Sequence, residues 1–218
     1  MSLWKKLTGR KPQDPQRYQD SGAARTLLLG GAGEDAEIVR ASRKFVVVAD
    51  IRRGPGVTIL ANLELPLPFR DAAFDEIFSL EFIEHVPHPD LPRLLRECRR
   101  VLRKGGAWIS GCPDMEVLAS WFSLQCDCVE AWQADPKCKS CGGKARISPS
   151  RWLKSVFGNQ EDYGDSRRAD THKNGLWFAR LNQLLEEAGF GGVKRIDAEA
   201  YYARGKAESK IVVEAAAR

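Results

Sequence analysis

Four cysteines, Cys126, Cys128, Cys138 and Cys141, spell CxCx9CxxC in a polar stretch that contains lysine and glycine. Two close thiol pairs joined by a short connection are what a tetrahedral structural zinc requires. The small residues of segment 137–143 (KCKSCGG) would let backbone N–H groups face the sulfurs. The spacing favours a four-thiolate zinc over free thiols or disulfides, with a redox pair as the next reading. A closed site of four protein ligands leaves no open position for catalysis, so its work would be to shape a lid or a recognition surface. Bound zinc would also explain how an insertion poor in apolar residues keeps one shape. The remaining cysteines differ in setting: Cys98 lies on an apolar helical stripe and Cys112 follows a core strand, so both read as small buried hydrophobes.

A second group of residues suggests a nucleotide-like ligand. Gly30-Gly31-Ala32-Gly33 follows an apolar run at 25–29, and Asp50 ends the run KFVVVAD. In an open α/β sheet a glycine turn after the first strand lets a ligand approach the backbone, and an acid ending the second strand can bind ribose hydroxyls. Glycines also make tight turns with no ligand at all. Glu84-His85 follows a predicted strand, where either residue could deprotonate an acceptor, although a structural role competes with that one. His172, in DTHKN, is a further candidate base, whereas His88 between two prolines reads as a loop residue.

The elements that must position these residues follow from periodicity. Residues 44–51 are rich in β-branched side chains without alternation, as in a parallel strand buried on both faces. Strands are also expected at 25–29, 57–60, 74–80, 107–110, 192–198 and 210–214, and a short helix at 34–42. Leu91, Leu94, Leu95, Cys98, Val101 and Leu102 recur every three or four residues, which predicts a helix stopped by Gly105-Gly106, its arginines forming a solvated face. Trp177, Leu181, Leu184, Leu185 and Ala188 define a late helix ending at Gly189. Alternating strands and helices imply a parallel α/β sheet covered on both faces. The expected organisation is an arm at 1–23, which Trp4 could anchor, and a domain at 24–218 interrupted by an insertion at 115–170.

The chain has 218 residues, and 34 Lys+Arg against 29 Asp+Glu leave a net charge of +5, well short of a nucleic-acid-coating protein. Basic residues from Lys137 to Lys154, interleaved with Trp121, Trp132 and Trp152, would suit a phosphate-bearing or nucleic-acid substrate, but a solvated surface over packed tryptophans is the preferred reading. The longest strongly apolar run, 45–49, is far below the roughly 20 residues that span a bilayer. Segment 1–12 lacks the apolar centre of a signal peptide, so a soluble, cytoplasmic protein is expected. The sequence leaves the oligomeric state open.

The segments LLLGGAGED, VVVADI, ILANLELPLPFRDAAFDEIFSLEFIEHV and LLRECRRVLRKGGAWISGCPD together resemble the successive motifs of class I S-adenosylmethionine-dependent methyltransferases of the type 11 group. The likeness runs from about Arg25 to Asp114 and resumes at Leu184-Leu185-Glu186-Glu187-Ala188-Gly189-Phe190. It implies a Rossmann-like, mostly parallel sheet of seven strands with helices on both faces, which the small zinc-stabilised insertion read from the cysteine spacing interrupts. It further implies that Gly30, Gly31 and Ala32 approach the methionine part of the cofactor, that Asp50 binds the ribose, and that Ile51 packs on the adenine. Asn62, followed by Leu63, stands where the family often has an acid beside the adenine amino group, and Leu80 and Phe82 would border the methyl group. Leu28 and Ala32 depart from the family pattern, which often has an acid and a glycine there. Asp75 reads more simply as a turn residue than as a functional one.

The resulting expectation is methyl transfer from S-adenosylmethionine to an oxygen, nitrogen or carbon of a small-molecule or carrier-bound acceptor, under a zinc-held lid. The competing reading is an inactive methyltransferase-like module that holds a protein or RNA partner through the insertion. A nicotinamide-dependent oxidoreductase is disfavoured because no full GxGxxG follows the first strand.

Overall fold

Three consecutive leucines show how the sheet is built. Leu27 and Leu29 enter one apolar cluster and Leu28 enters another, because successive strand side chains point to opposite faces. The same division separates Ile77 from Phe78 and Trp108 from Ile109. Both faces are covered, so these strands show no polar alternation in sequence. The structure is a computed structural model of the chain and describes residues 23–30, 35–54, 56–63, 65–158 and 171–218. Gly31, Ala32 and all of the expected arm but Ala23 lie outside the described residues.

In chain order the elements are β1 (Arg25–Leu29), α1 (Asp35–Ser42), β2 (Phe45–Asp50), β3 (Ile59–Leu60), β4 (Phe74–Leu80), α2 (Leu91–Val101) and β5 (Leu102–Pro113). There follow α3 (Met115–Ser120), β6 (Val129–Glu130), β7 (Gln133–Ala134), α4 (Pro149–Phe157), α5 (Phe178–Glu187), β8 (Phe190–Arg195), α6 (Arg204–Ala207) and β9 (Lys210–Ala217). Single 3-10 turns occur at Ile83–His85 and Ala198–Ala200. Seven strands form one sheet in the order β3-β2-β1-β4-β5-β9-β8. β1 to β5 run parallel, while β9 is antiparallel to both β5 and β8. The seven-stranded, mostly parallel α/β architecture expected from the sequence is therefore present.

On one face α2 buries Leu91, Leu94, Leu95, Cys98 and Val101, and α5 buries Leu181, Leu184 and Leu185. Val39 of α1 joins the cluster on the opposite face. Helix α2 stops at Val101, earlier than the glycine pair predicts. Leu102 already pairs with Phe74, the register then slips so that Ala107 pairs with Glu76, and Gly105 and Gly106 lie within this bulge of β5. A Cβ on Gly106 would stand 2.9 Å from the carbonyl oxygens of Arg103 and Asp75, so the glycine permits a close backbone approach and does not serve as a helix stop.

The arginine face of α2 also differs from expectation at one position. The Arg100 guanidinium donates to the Leu67 and Phe69 carbonyls, to Asp71 and to Glu97, while Glu97 accepts from the Leu67 N–H. Arg100 thus clasps the proline-containing loop before β4 and is not a purely solvated group. Asp75 is structural: it accepts from the Arg25 backbone and side chain and from Arg103.

Segment 115–158 proves less poor in apolar contacts than expected. Leu118, Trp121 and Ile147 form a small buried cluster with Trp132 and Trp152 packed against it. The Trp152 indole donates to the Leu118 carbonyl at 2.7 Å. Part of this segment's order therefore comes from its own core, in agreement with the reading of tryptophans packed under a basic surface.

Candidate functional site

Strand order reverses between β1 and β4, since the chain leaves β1 toward β2 and β3 and returns to β1's other side as β4. Crevices at the carboxyl ends of strands beside such a reversal are the usual ligand sites of open α/β sheets. Gly30 and Phe82 meet there. Gly30 has φ +71°, and a Cβ added to it would stand 2.7–2.9 Å from Phe82 side-chain carbons. The position thus requires glycine for its backbone and for its neighbour.

Asp50, at the carboxyl end of β2, is 3% exposed and accepts a 2.7 Å hydrogen bond from the Arg52 N–H. Beside it Ile51 is 58% exposed, an apolar side chain held in the open at the sheet edge. Asn62 is exposed, whereas Leu63 is buried in the core. Leu80 packs in the cluster on the α1 face, and Phe82 is half-buried against the other. Leu28, where the family often has an acid, is also a core residue on the α1 face.

A polar cluster follows β4. Glu81, directly after the strand, has φ +51° and is ion-paired to Lys210 at 2.5 Å. Lys210 is brought to this edge because antiparallel β9 begins where parallel β5 ends, with Lys210 opposite Pro113. Burial would raise the Glu81 carboxyl, but the charges of Lys210 and Lys206 hold it below the usual carboxylate range. Glu84 is buried, and neither of its carboxylate oxygens has a hydrogen-bond partner. Burial, then the charge of Glu81, push its carboxyl well above the ordinary range.

The chain returns from the insertion onto this cluster. The Lys173 and Asn174 N–H groups donate to the Glu84 backbone carbonyl at 2.8 and 3.0 Å, fastening segment 171–174 to the 3-10 turn. His85 and His172 consequently meet edge to face, with ring centroids 4.9 Å apart. His85 Nδ1 lies 3.1 Å from the Thr171 carbonyl. Burial and then the charge of His85 hold the His172 imidazole down at about 4, so it is neutral near pH 7. The candidate groups Glu84, His85 and His172 are thus brought together, with ligand atoms within 4.8 Å of one another. His88 is exposed, as expected.

A cavity of about 330 Å³ adjoins the cluster. Glu81, His85, His172, Lys206 and Lys210 line it from the domain and the returning segment; Trp132, Arg151, Lys154, Ser155 and Gly158 line it from the insertion. Trp132 and Ala131 form the two-residue turn between β6 and β7, both with positive φ, a conformation that favours Asn-Gly. The Arg151 guanidinium lies 4.5 Å from the Trp132 ring centroid. Sequence reading missed Glu81, Lys206, Lys210 and the cavity role of Trp132. The Glu81-Phe82-Ile83-Glu84-His85 spacing offered a signal for the first, whereas the lysines gave none.

The four insertion cysteines also converge, their sulfurs all within 4.8 Å. Cys126 and Cys138 are 3.6 Å apart and Cys128 and Cys141 3.5 Å, far from the roughly 2.05 Å of a disulfide and close to the about 3.8 Å edge of a zinc–thiolate tetrahedron. Backbone N–H groups of Ala145 and Gly143 help hold the Cys141 thiol down at about 6, and those of Cys141 and Ser140 lower Cys138. Cys98 and Cys112 are fully buried, and burial pushes both thiols up.

A family model for a methyltransferase domain matches residues 27–110. A Mycobacterium tuberculosis protein named "Probable S-adenosylmethionine-dependent methyltransferase" is 37% identical over 112 residues, covering 45% of this chain and 39% of its own length. The chain therefore spans about two fifths of the curated relatives it matches. Among solved structures, a Mesorhizobium loti S-adenosylmethionine-dependent methyltransferase shares 19% identity at TM-score 0.53, covering 89% of this chain and 91% of that one. A Burkholderia thailandensis 1,6-didemethyltoxoflavin-N1-methyltransferase, solved with 1,6-didemethyltoxoflavin and S-adenosylhomocysteine, shares 13% at TM-score 0.51, covering 89% and 70%. These structural likenesses establish the fold. Among the described residues no helix is long and apolar enough to cross a membrane.

Proposed function

We propose, from the match of residues 27–110 to a family model for a methyltransferase domain, that the chain transfers a methyl group from S-adenosylmethionine to an acceptor held under the insertion. The observation that carries this reading is the joint placement of Gly30, Asp50 and Ile51 on adjacent strand ends at the reversal of strand order. Bound S-adenosylmethionine supplies an activated methyl carbon on a sulfonium, so the protein's task is mainly alignment and exclusion of water. Asp50 would accept hydrogen bonds from the ribose hydroxyls, Ile51 would cover the adenine, and Asn62 would accept from the adenine amino group. Leu63, buried in the core, would contribute through its backbone. Gly30, together with Gly31 and Ala32, would let the methionine part approach the chain, while Leu80 and Phe82 would border the methyl group.

The acceptor would occupy the 330 Å³ cavity. Among the described residues its lining contributes Arg151, Lys154, Lys206 and Lys210 and one carboxylate, Glu81, which favours a small or carrier-bound acceptor bearing a phosphate or carboxylate. His85 and His172 line the same cavity, and a neutral imidazole there could take the proton released by an O–H or N–H acceptor. Glu84 adjoins them, its carboxyl pushed well above the ordinary range by burial and then by the charge of Glu81.

We also assign a structural zinc to Cys126, Cys128, Cys138 and Cys141, supported by the sulfur separations and by the N–H groups directed at Cys138 and Cys141. Segment 115–170 then acts as a zinc-braced cover over a domain spanning 24–218, in a protein that works in the cytoplasm. Methyl transfer to a panel of anionic hydroxyl and amine acceptors, followed by formation of S-adenosylhomocysteine, tests the reading. Folded protein that binds RNA or a protein partner through the insertion yet no cofactor would instead be a methyltransferase-like binding module.

A further inference from the structure

We propose a second metal site, distinct from the four cysteines, in which Glu84, His85 and His172 hold a divalent cation of the Mn²⁺ to Zn²⁺ series. Their ligand atoms lie within 4.8 Å of one another, although the chain that joins them passes through the whole insertion. Three features argue for a cation and against a plain packing contact. The Glu84 carboxyl is fully enclosed, with no hydrogen-bond partner for either oxygen. A buried carboxyl without donors is costly, and a cation would supply what both oxygens lack.

The imidazoles are also oriented as metal ligands usually are. His85 Nδ1 faces the Thr171 carbonyl at 3.1 Å, a backbone partner of the kind that orients a ligating imidazole. The Val156 backbone beside His172 offers its imidazole a similar orienting partner. Backbone partners that fix the tautomer of two neighbouring histidines serve a shared acceptor of lone pairs better than they serve an empty contact.

The third feature is the cavity. His85 and His172 form part of its wall, so a cation held by three protein ligands keeps its remaining positions toward that space. Lys210, on the same wall, is bonded to Glu81 at 2.5 Å, which offsets its repulsion. Two nitrogens and one oxygen suit borderline cations such as Mn²⁺, Fe²⁺, Co²⁺ or Zn²⁺ better than Ca²⁺, which prefers all-oxygen shells. Binding of the cation stands independently of the catalytic reading. Its use rests on that reading: with the cation bound, both imidazoles serve as its ligands in place of the base role, and an acceptor with oxygen donors would complete the coordination shell, which selects hydroxylated or phosphorylated acceptors.

The test is a Mn²⁺ titration of the full chain, already loaded with one equivalent of zinc, followed by electron paramagnetic resonance without S-adenosylmethionine. Mn²⁺ has little affinity for thiolates, so the cysteine site does not compete. One Mn²⁺ per chain should bind at micromolar concentration, and His172→Ala and Glu84→Gln should each weaken it by about 100-fold. Spin-echo spectra of the wild-type complex should carry nitrogen couplings from two imidazoles, a readout that does not depend on the variants folding. Absence of Mn²⁺ binding, or bound Mn²⁺ without nitrogen coupling, overturns the site. Cofactor titration on the same sample separates that outcome from failure of the methyltransferase reading.

Discussion

Gly30 and Phe82 meet across the reversal in strand order between β1 and β4, so close that a Cβ on Gly30 would stand 2.7 Å from the Phe82 ring. The end of β1 and the segment that follows β4 are thereby held against one another. That contact joins the proposed cofactor turn to the polar cluster that begins at Glu81.

Gly30→Ala should destabilise the domain by about 2 kcal/mol, combining positive-φ strain with the Phe82 clash. Adding Phe82→Ala should recover the steric part and leave the backbone part. Denaturant unfolding of both single variants and the double variant measures this coupling, and strictly additive effects would show that the two residues act independently.

Asp75 predicts an acid limit on stability. Burial would raise its carboxyl, but hydrogen bonds from Arg25 and Arg103 hold it at about 2, below its ordinary value of about 4. Because the folded state prefers the ionised form, this contribution is complete above the unfolded value and disappears as pH falls from about 4 to about 2. The wild type should exceed Asp75→Asn by about 1 to 2 kcal/mol at pH 7 after solvent screening is allowed for, with the difference vanishing near pH 2. Chemical unfolding at several pH values checks it, and a difference independent of pH would contradict it.

Cys138→Ser should abolish thiolate-bound metal while sparing the sheet. The measurement is the sulfur-to-cobalt charge-transfer absorption of Co²⁺-substituted protein, which a cation held by Glu84 and histidines does not give. Hydrogen exchange should quicken around β6 and β7 but change less near Leu118, Trp121 and Ile147, whose buried cluster is independent of the metal. Retention of the charge-transfer band would remove Cys138 from the site.

How far the sequence was legible depended on whether a signal was local. Strand β4 falls on the residues its pattern predicts, and the Cys138-to-Cys141 knuckle was readable from spacing alone. The end of α2 was not: Gly105-Gly106 is the usual sign of a helix stop, yet pairing of Leu102 with Phe74 ends the helix first. Arg100 likewise reads as one of several surface arginines, and only the fold of the loop at Leu67–Phe69 around it reveals the clasp. Lys210 reaches Glu81 through antiparallel pairing of β9 at the far end of the chain, a long-range relation that no spacing encodes. Pairing of His85 with His172 required the route of the insertion, although each histidine was singled out by itself.

The central claim is tested most directly by calorimetric titration of the zinc-loaded chain with S-adenosylmethionine and S-adenosylhomocysteine, alongside Asp50→Ala. Asp50 closes on the Arg52 N–H at the end of β2 and lies outside the apolar clusters, so the variant should keep its fold. Micromolar binding by the wild type and at least about 10-fold weaker binding by the folded variant is the predicted result, as expected when charge-assisted hydrogen bonds to the ribose are lost. No binding to the wild type at millimolar cofactor would contradict the claim.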